Sequence, residues 1–235
     1  NVPTSIVDRA VRLKCKIKRI GIDYSYTVSD GLLDWNPDPS RWGAARAYAD
    51  LQVPGSGDDA VLHNAAGAVA IVESMNADLL VHKKAVRKGL ANTELFGRVQ
   101  VLQGGIERLF DVAHNPAAIA NLASFIDKRH PVRRNHAVFS MLKDKDLAEV
   151  VRLMGSRIAS WHLTQLDASR AAPLQDLADV VSDHSNSEIK TWPNPLHAYK
   201  MAMQLARPGD RVVVFGSFYL VGAILKSVLE DPFQA

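Results

Sequence analysis

A carboxylate, an imidazole and an amide fall close together in the run Phe110-Asp-Val-Ala-His-Asn-Pro116. Asp111 closes an apolar, strand-like segment, so its carboxylate can accept from both hydroxyls of a nucleotide ribose, or cap the element that follows. His114, in the same turn, can face phosphate or serve as an ordinary hydrogen-bonded histidine. Asn115 is a good N-cap, and Pro116 suits the first turn of a helix, where its missing N–H costs nothing. A helix begun there offers free N–H groups and a partial positive charge to a phosphate. No second ligand stands at a metal-binding interval from His114, so no metal site is expected on it.

Other residues could share that chemistry. Arg98 follows Gly97; its guanidinium fork suits phosphate or carboxylate, although an exposed arginine often only solvates a surface. Lys143-Asp-Lys-Asp146 comes just after a strand-like segment and reads as a solvated helix start or as groups that orient a substrate. Gly216-Ser217 follows another strand and opens a helix, so the glycine permits close backbone approach while Ser217 caps or holds a carboxylate. Asn64 is the one unexcused polar residue in the small apolar stretch Ala60 to Met75, where it is either an internally bonded core amide or a ligand contact. His162 and His197 sit within strand and helix patterns and read as structural.

Positioning these groups requires a particular order of elements. Apolar spacing predicts an amphipathic helix from Pro3 to Lys18, capped by Thr4 or Ser5, ended by Gly21 and basic at its C-terminal end. Ile22 to Val28 alternates as a strand, Asp30-Gly31 turns, and a second strand covers Leu32 to Trp35. Residues 36–50 read as irregular, with Trp35 and Trp42 as packing residues. From Asp58 the pattern is helical: Ala60 to Met75 should be buried on most sides, and a second helix covers Asp78 to Gly89. Gly89, Asn92 and Thr93 then form a linker. Two short strands joined at Gly104-Gly105 lead to Asp111. Beyond Pro116 helices are expected over 116–128, 145–155, 173–182, 195–206 and 218–229, alternating with strands over 137–140, 158–166, 189–190 and 210–215. That alternation argues for an α/β fold, a Rossmann-like, mostly parallel sheet with helices on both faces.

Bulk properties narrow the partners. A length of 235 residues allows one large domain or two small ones, and 47% hydrophobic residues supply a core. The net charge of +3 comes from 28 basic residues interleaved with 25 acidic ones, without a basic block, so nucleic acid is not an expected partner. The basic run Lys14 to Arg19 reads as a solvated face. The lone Cys15 rules out an internal disulfide, reads as a helix-face thiol without a role and fits a reducing cytoplasm. There is no signal peptide and no apolar run of the roughly 18 residues that a membrane span needs.

Gly97-Arg98 and Asp111-Val-Ala-His-Asn-Pro116, with Met141-Leu-Lys-Asp-Lys-Asp146, the Arg170 region and Phe215-Gly-Ser-Phe218 downstream in order, resemble the C-terminal half of bacterial bifunctional dihydrofolate synthases/folylpolyglutamate synthases of the Mur ligase superfamily. The likeness covers nearly the whole chain; Phe96 departs from it, standing where that family has proline. It implies that residues 1–93 are the C-terminal part of an α/β ATPase-type domain and 94–235 a Rossmann-like ligase domain. The phosphate loop Gly-x-x-x-x-Gly-Lys-Ser/Thr is absent from the sequence, and in that family it lies ahead of the present residue 1, as do the metal ligands. The chain is therefore expected to be part of a longer enzyme and inactive as a ligase alone.

The implied activity is ATP- and Mg²⁺-dependent addition of L-glutamate to dihydropteroate and folates through an acyl phosphate. The resemblance gives Asn64, Arg98, Asp111 and His114 to ATP, Asp111 to its ribose and His114 to its phosphates and the catalysis. It gives Ser217, and more softly Lys145, to the incoming glutamate. A monomer in the cytoplasm is expected. The rival readings are a muramyl-peptide ligase and a non-enzymatic nucleotide-binding module.

Overall fold

A computed structural model describes residues 2–43, 45–53 and 59–230. The chain divides into two compact units, Asn1–Glu94 and Leu95–Ala235.

In the first unit, α1 (Thr4–Arg12) precedes β1 (Tyr24–Ser29), β2 (Leu32–Pro37), α2 (Pro39–Trp42) and β3 (Tyr48–Gln52), followed by α3 (Asp59–Ser74), α4 (Asn76–Leu79) and α5 (Lys83–Ala91). The strands form one antiparallel sheet in the order β1-β2-β3. Its core is aromatic: Trp35 is fully buried, with Trp42 edge-on at 5.4 Å and Tyr24 at 5.5 Å. Both tryptophans pack, as expected. Glu73 on α3 is nearly buried, and Arg46 Nη2 donates to it at 2.6 Å. Tyr48 also donates to Glu73; burial first, and then this bond, push the Tyr48 phenol up to about 12.

Several expectations for this unit need correction. The first helix stops at Arg12 because Lys14 turns into the left-handed region (φ 53°), so Cys15 lies beyond the helix rather than on its face. Thr4 lies inside that helix, and no side chain caps it. None of its residues is buried, so no packing extends it against basic residues on its far side. Residues 36–50 are not wholly irregular, since they hold α2 and the start of β3. The helical pattern's first residue, Asp58, lies outside the described residues, and the expected Asp78–Gly89 helix is the pair α4 and α5. Helix α3 buries one face, through Leu62, Ala66 and Val69, and exposes another that carries His63 and Asn64.

The second unit runs β4 (Gln100–Leu102), β5 (Glu107–Asp111), α6 (Pro116–Lys128), β6 (Asn135–Phe139), α7 (Leu147–Met154), β7 (Ser160–Thr164), α8 (Leu174–His184), β8 (Glu188–Trp192), α9 (Pro195–Leu205), β9 (Arg211–Phe215) and α10 (Phe218–Glu230). These strands make one six-stranded sheet, order β4-β5-β9-β6-β7-β8, parallel except for the β4–β5 hairpin. Side chains alternate along each strand and build two cores. Leu109, Phe139, Trp161 and Phe215 meet α6, α7 and α8 on one face, whereas Phe110, Val138, Val212 and Val214 meet α9 and α10 on the other. Asn115, Asp146 and Asn194 cap α6, α7 and α9, each accepting from a backbone N–H of the first turn.

The connection after β5 leads to one face and that after β9 to the opposite face. Adjacent strands whose helices diverge leave a crevice at their carboxyl ends, where open α/β sheets hold ligands. The carboxyl ends of β5, β9 and β6 therefore form the place to look.

Candidate functional site

Residues 97–99 sit beside the β5 end of that crevice and are tightly constrained. Gly97 has φ 66°, and a Cβ there would stand 2.9 Å from Val221 Cγ1 and 3.0 Å from Val112 Cγ1, so only glycine fits. Val99 has φ 45°, a strained conformation for a β-branched residue. Asp111 over-determines it: Oδ2 accepts from Val99 N–H at 2.9 Å, while Oδ1 accepts from Ala113 N–H at 2.7 Å. The carboxylate is nearly buried and holds the turn that presents Arg98. The hydrogen bonds are those of a capping carboxylate.

Arg98 itself is exposed and, among the described residues, makes no ion pair. Its guanidinium carbon lies 5.3 Å from the centroid of the Phe218 ring. His114 is half-buried, with Nδ1 2.8 Å from Val112 O, which fixes the Nδ1–H tautomer and leaves Nε2 for a ligand.

Beyond His114 opens a cavity of about 290 Å³, lined by Lys145, Arg170, Ser217, Phe218 and Tyr219 among others. Ser217 is buried; its Oγ accepts from Tyr219 N–H at 3.1 Å, capping α10 and leaving the hydroxyl proton to donate. Gly216 before it has φ 109°, and a Cβ would stand 2.6 Å from Ser140 O, so the turn from β9 into α10 tolerates no side chain. Opposite, Asp144 Oδ2 lies 3.3 Å from Arg170 Nη1 and 3.7 Å from Lys145 Nζ, so one carboxylate serves two cations. Lys143 N donates to Arg170 O at 2.9 Å and Ala172 N to Met141 O at 2.9 Å, zipping the two loops into a single wall. The cavity offers positive charge and donors, the chemistry that holds carboxylate or phosphate.

Arg98, Asp111, His114, Lys145 and Ser217 thus gather at one edge of one sheet. Asn64 belongs to the other unit, exposed on α3 beside His63, whose Nδ1 lies 2.8 Å from Tyr26 Oη; a core role for its amide is excluded. Sequence reasoning passed over Phe218, which lines the cavity and touches both Arg98 and His114. The sequence carries it only as the last residue of the Phe215-Gly-Ser-Phe218 match, and a role for it is not legible there because its partners come from distant segments.

Another cluster has the look of a reaction centre. Asp210 Oδ2, His136 and Ser160 Oγ stand in acid–base–hydroxyl order at 3.3 and 2.8 Å, and Ser160 passes on to His162 at 3.3 Å. All four are at most 6% exposed, so no substrate reaches the hydroxyl. Burial, followed by the charge of His136, pulls the His162 imidazole down to about 4, and Trp192 stacks on it and donates to its Nδ1. His162 is structural, as expected.

Residues 97–218 match the family model described as Mur ligase, glutamate ligase domain, and the chain belongs to that family. It is 28% identical over 233 residues to the dihydrofolate synthase/folylpolyglutamate synthase of Escherichia coli strain K12, an alignment covering 97% of this chain and 50% of that protein. The E. coli FolC structure in complex with DHPP and ADP superposes with a TM-score of 0.79 at 27% identity, covering 98% of this chain and 51% of that one. A bifunctional folylpolyglutamate synthase/dihydrofolate synthase with Mn, AMPPNP and L-glutamate bound gives 0.77 at 27% identity, over 97% and 52% of the two chains. This chain spans about half the length of the curated relatives it matches. Among the described residues no helix is long and apolar enough to cross a membrane.

Proposed function

We propose that this chain supplies the C-terminal portion of an ATP-dependent ligase that joins L-glutamate to dihydropteroate and to folates. One observation carries the reading: the crevice between β5, β9 and β6 gathers a guanidinium that makes no ion pair among the described residues, an imidazole and a cationic cavity within a single unit. The relatives named for this activity support it, as do the solved relatives holding ADP, DHPP, AMPPNP and L-glutamate. Residues 1–93 would be the C-terminal part of the ATP-binding domain, and Asn64 on α3 would be a nucleotide contact.

In this reaction class a carboxylate is activated as an acyl phosphate, the glutamate amine attacks it, and phosphate leaves. The chain's own residues do positioning and charge work. Arg98 takes phosphate oxygens through its fork. Asp111 keeps the Arg98 turn in place and would accept from the ribose hydroxyls. His114, oriented through Nδ1, presents Nε2 to the phosphates, as a donor when protonated and as a proton acceptor when neutral. Ser217 donates to a carboxylate of the incoming glutamate, and Lys145 neutralises it. A divalent cation would supply further charge neutralisation; among the described residues no cluster of three or more His, Cys, Asp or Glu side chains could hold one. We assign the protein to the cytoplasm, as a monomer.

The test is a ligase assay on the protein expressed from its complete reading frame, with ATP, labelled L-glutamate and dihydropteroate. Glutamate incorporation that collapses in Arg98→Ala and His114→Ala supports the proposal. Incorporation only with a UDP-muramyl acceptor would move the assignment to a muramyl-peptide ligase. Nucleotide binding without any ligation would make it a binding module.

A further inference from the structure

Phe218 opens α10 with 55% of its surface exposed, a large ring left in solvent at the centre of the site. Its neighbours account for the placement. The Arg98 guanidinium lies 5.3 Å from the ring centroid, and the His114 ring lies 5.5 Å away, inclined at 55°. The three side chains come from three separate segments, ahead of β4, after β5 and after β9, and meet at this ring. The same ring walls two cavities of about 290 Å³ each. One is the cationic cavity of Lys145, Arg170 and Ser217; the other is apolar, lined by Phe96, Val112, Val221 and Leu225.

Among the described residues neither Arg98 nor His114 has a carboxylate partner to fix it. Arginine carries a long, rotamer-rich side chain, and ordering it at the moment of binding would cost affinity. Stacking on an aromatic face orders a guanidinium beforehand without consuming its N–H donors, which an ion pair would do.

We infer that Phe218 is a positioning residue for the proposed reaction: its ring pre-orients Arg98 and His114 together, so nucleotide affinity depends on a side chain that acts through both. The inference rests on the nucleotide-binding reading of those two residues. It separates the two ends of the site, since the ring serves the phosphate end, whereas glutamate is held by Ser217 and Lys145.

The test uses the protein expressed from its complete reading frame, with ATP titrated by calorimetry and the His114 ring protons followed by NMR. Phe218→Leu keeps the apolar bulk on α10 and removes the aromatic face. It should weaken ATP binding about fivefold and shift the His114 resonances through loss of the ring current, with an unchanged unfolding midpoint. Phe218→Trp, a stronger stacking platform, should restore affinity to within about twofold of the parent. In an Arg98→Ala background Phe218→Leu should add little, since it works through the missing guanidinium. In the ligase assay the KM for ATP should rise while that for glutamate stays put. Equal ATP affinity in Phe218→Leu, with Arg98→Ala and His114→Ala both weakened, would overturn the inference and leave the nucleotide reading standing. ATP binding that is absent, or indifferent to Arg98 and His114, would overturn that reading and this inference with it.

Discussion

The two edges of the six-stranded sheet use charge in opposite ways. At the amino edge Glu107 is buried, and Arg211, itself 1% exposed, donates to it at 2.5 Å. Arg129 adds a second guanidinium at 2.7 Å. Burial pushes this carboxyl upward, but the hydrogen bonds and charges of the two arginines outweigh it and hold it down to about 2. At the carboxyl edge Arg98 makes no ion pair among the described residues, and Lys145 and Arg170 share the single carboxylate of Asp144. Charges that satisfy one another hold a fold together; charges left short of partners are available to a ligand. The contrast agrees with the edge proposed as the site, without reference to any motif.

Breaking the saturated edge should have the largest effect. Glu107→Ala leaves Arg211 buried without its counter-charge, and stability in urea should drop by about 3–5 kcal/mol. A loss under about 1 kcal/mol would dissolve the contrast. Acid should attack the same interior in two stages. The folded pKa of His162 is depressed from 6.5 to about 4, so the unfolded chain binds the extra proton. Stability is then full above about pH 6.5 and falls by roughly 2–3 kcal/mol on the way to pH 4. Glu107, depressed from 4.5 to about 2, extends the fall below pH 4.5. Urea midpoints against pH should show both stages, and His162→Leu should erase only the first.

Gly216→Ala sharpens the comparison from the other side. The methyl group would collide with Ser140 O at a strained φ, costing roughly 1–3 kcal/mol and displacing Ser217, so calorimetry should record weaker glutamate binding along with the lower midpoint. The smallest stability effect belongs to the unsaturated edge. Arg98→Ala should leave the urea midpoint within about 0.5 kcal/mol while ATP affinity falls about tenfold. A large loss of stability there would mean that the guanidinium is structural after all.

Much of the second unit was legible in the sequence because its signals are local. The hairpin at Gly104-Gly105, the cap at Asn115 and the buried strand ending at Phe215 all follow from short-range chemistry, whereas the helix expected from 145 begins only after Asp146, which caps it. The first unit was less legible. In β3 only Tyr48 and Leu51 are buried, Asp50 has φ 54°, and the register against β2 shifts between Leu33 and Trp35, so no period of two survives to be read. Helix α1 carries an apolar stripe in sequence that the fold leaves unburied, which is why its length was overestimated. At the site, residue types and spacing marked Arg98, His114 and Ser217, but not the ring that joins the first two. Partners far apart in sequence were invisible for the same reason: Glu107 and Arg211 are separated by 104 positions.

The position of β9 bears on how this protein is made. The strand at the heart of the sheet, between β5 and β6, is also the last of the described strands to leave the ribosome. Until it emerges, the hairpin side and the β6–β8 side remain two fragments with open, hydrogen-bond-hungry margins. Nascent or C-terminally truncated chains should therefore be the aggregation-prone and chaperone-dependent species, because a single late segment closes the sheet.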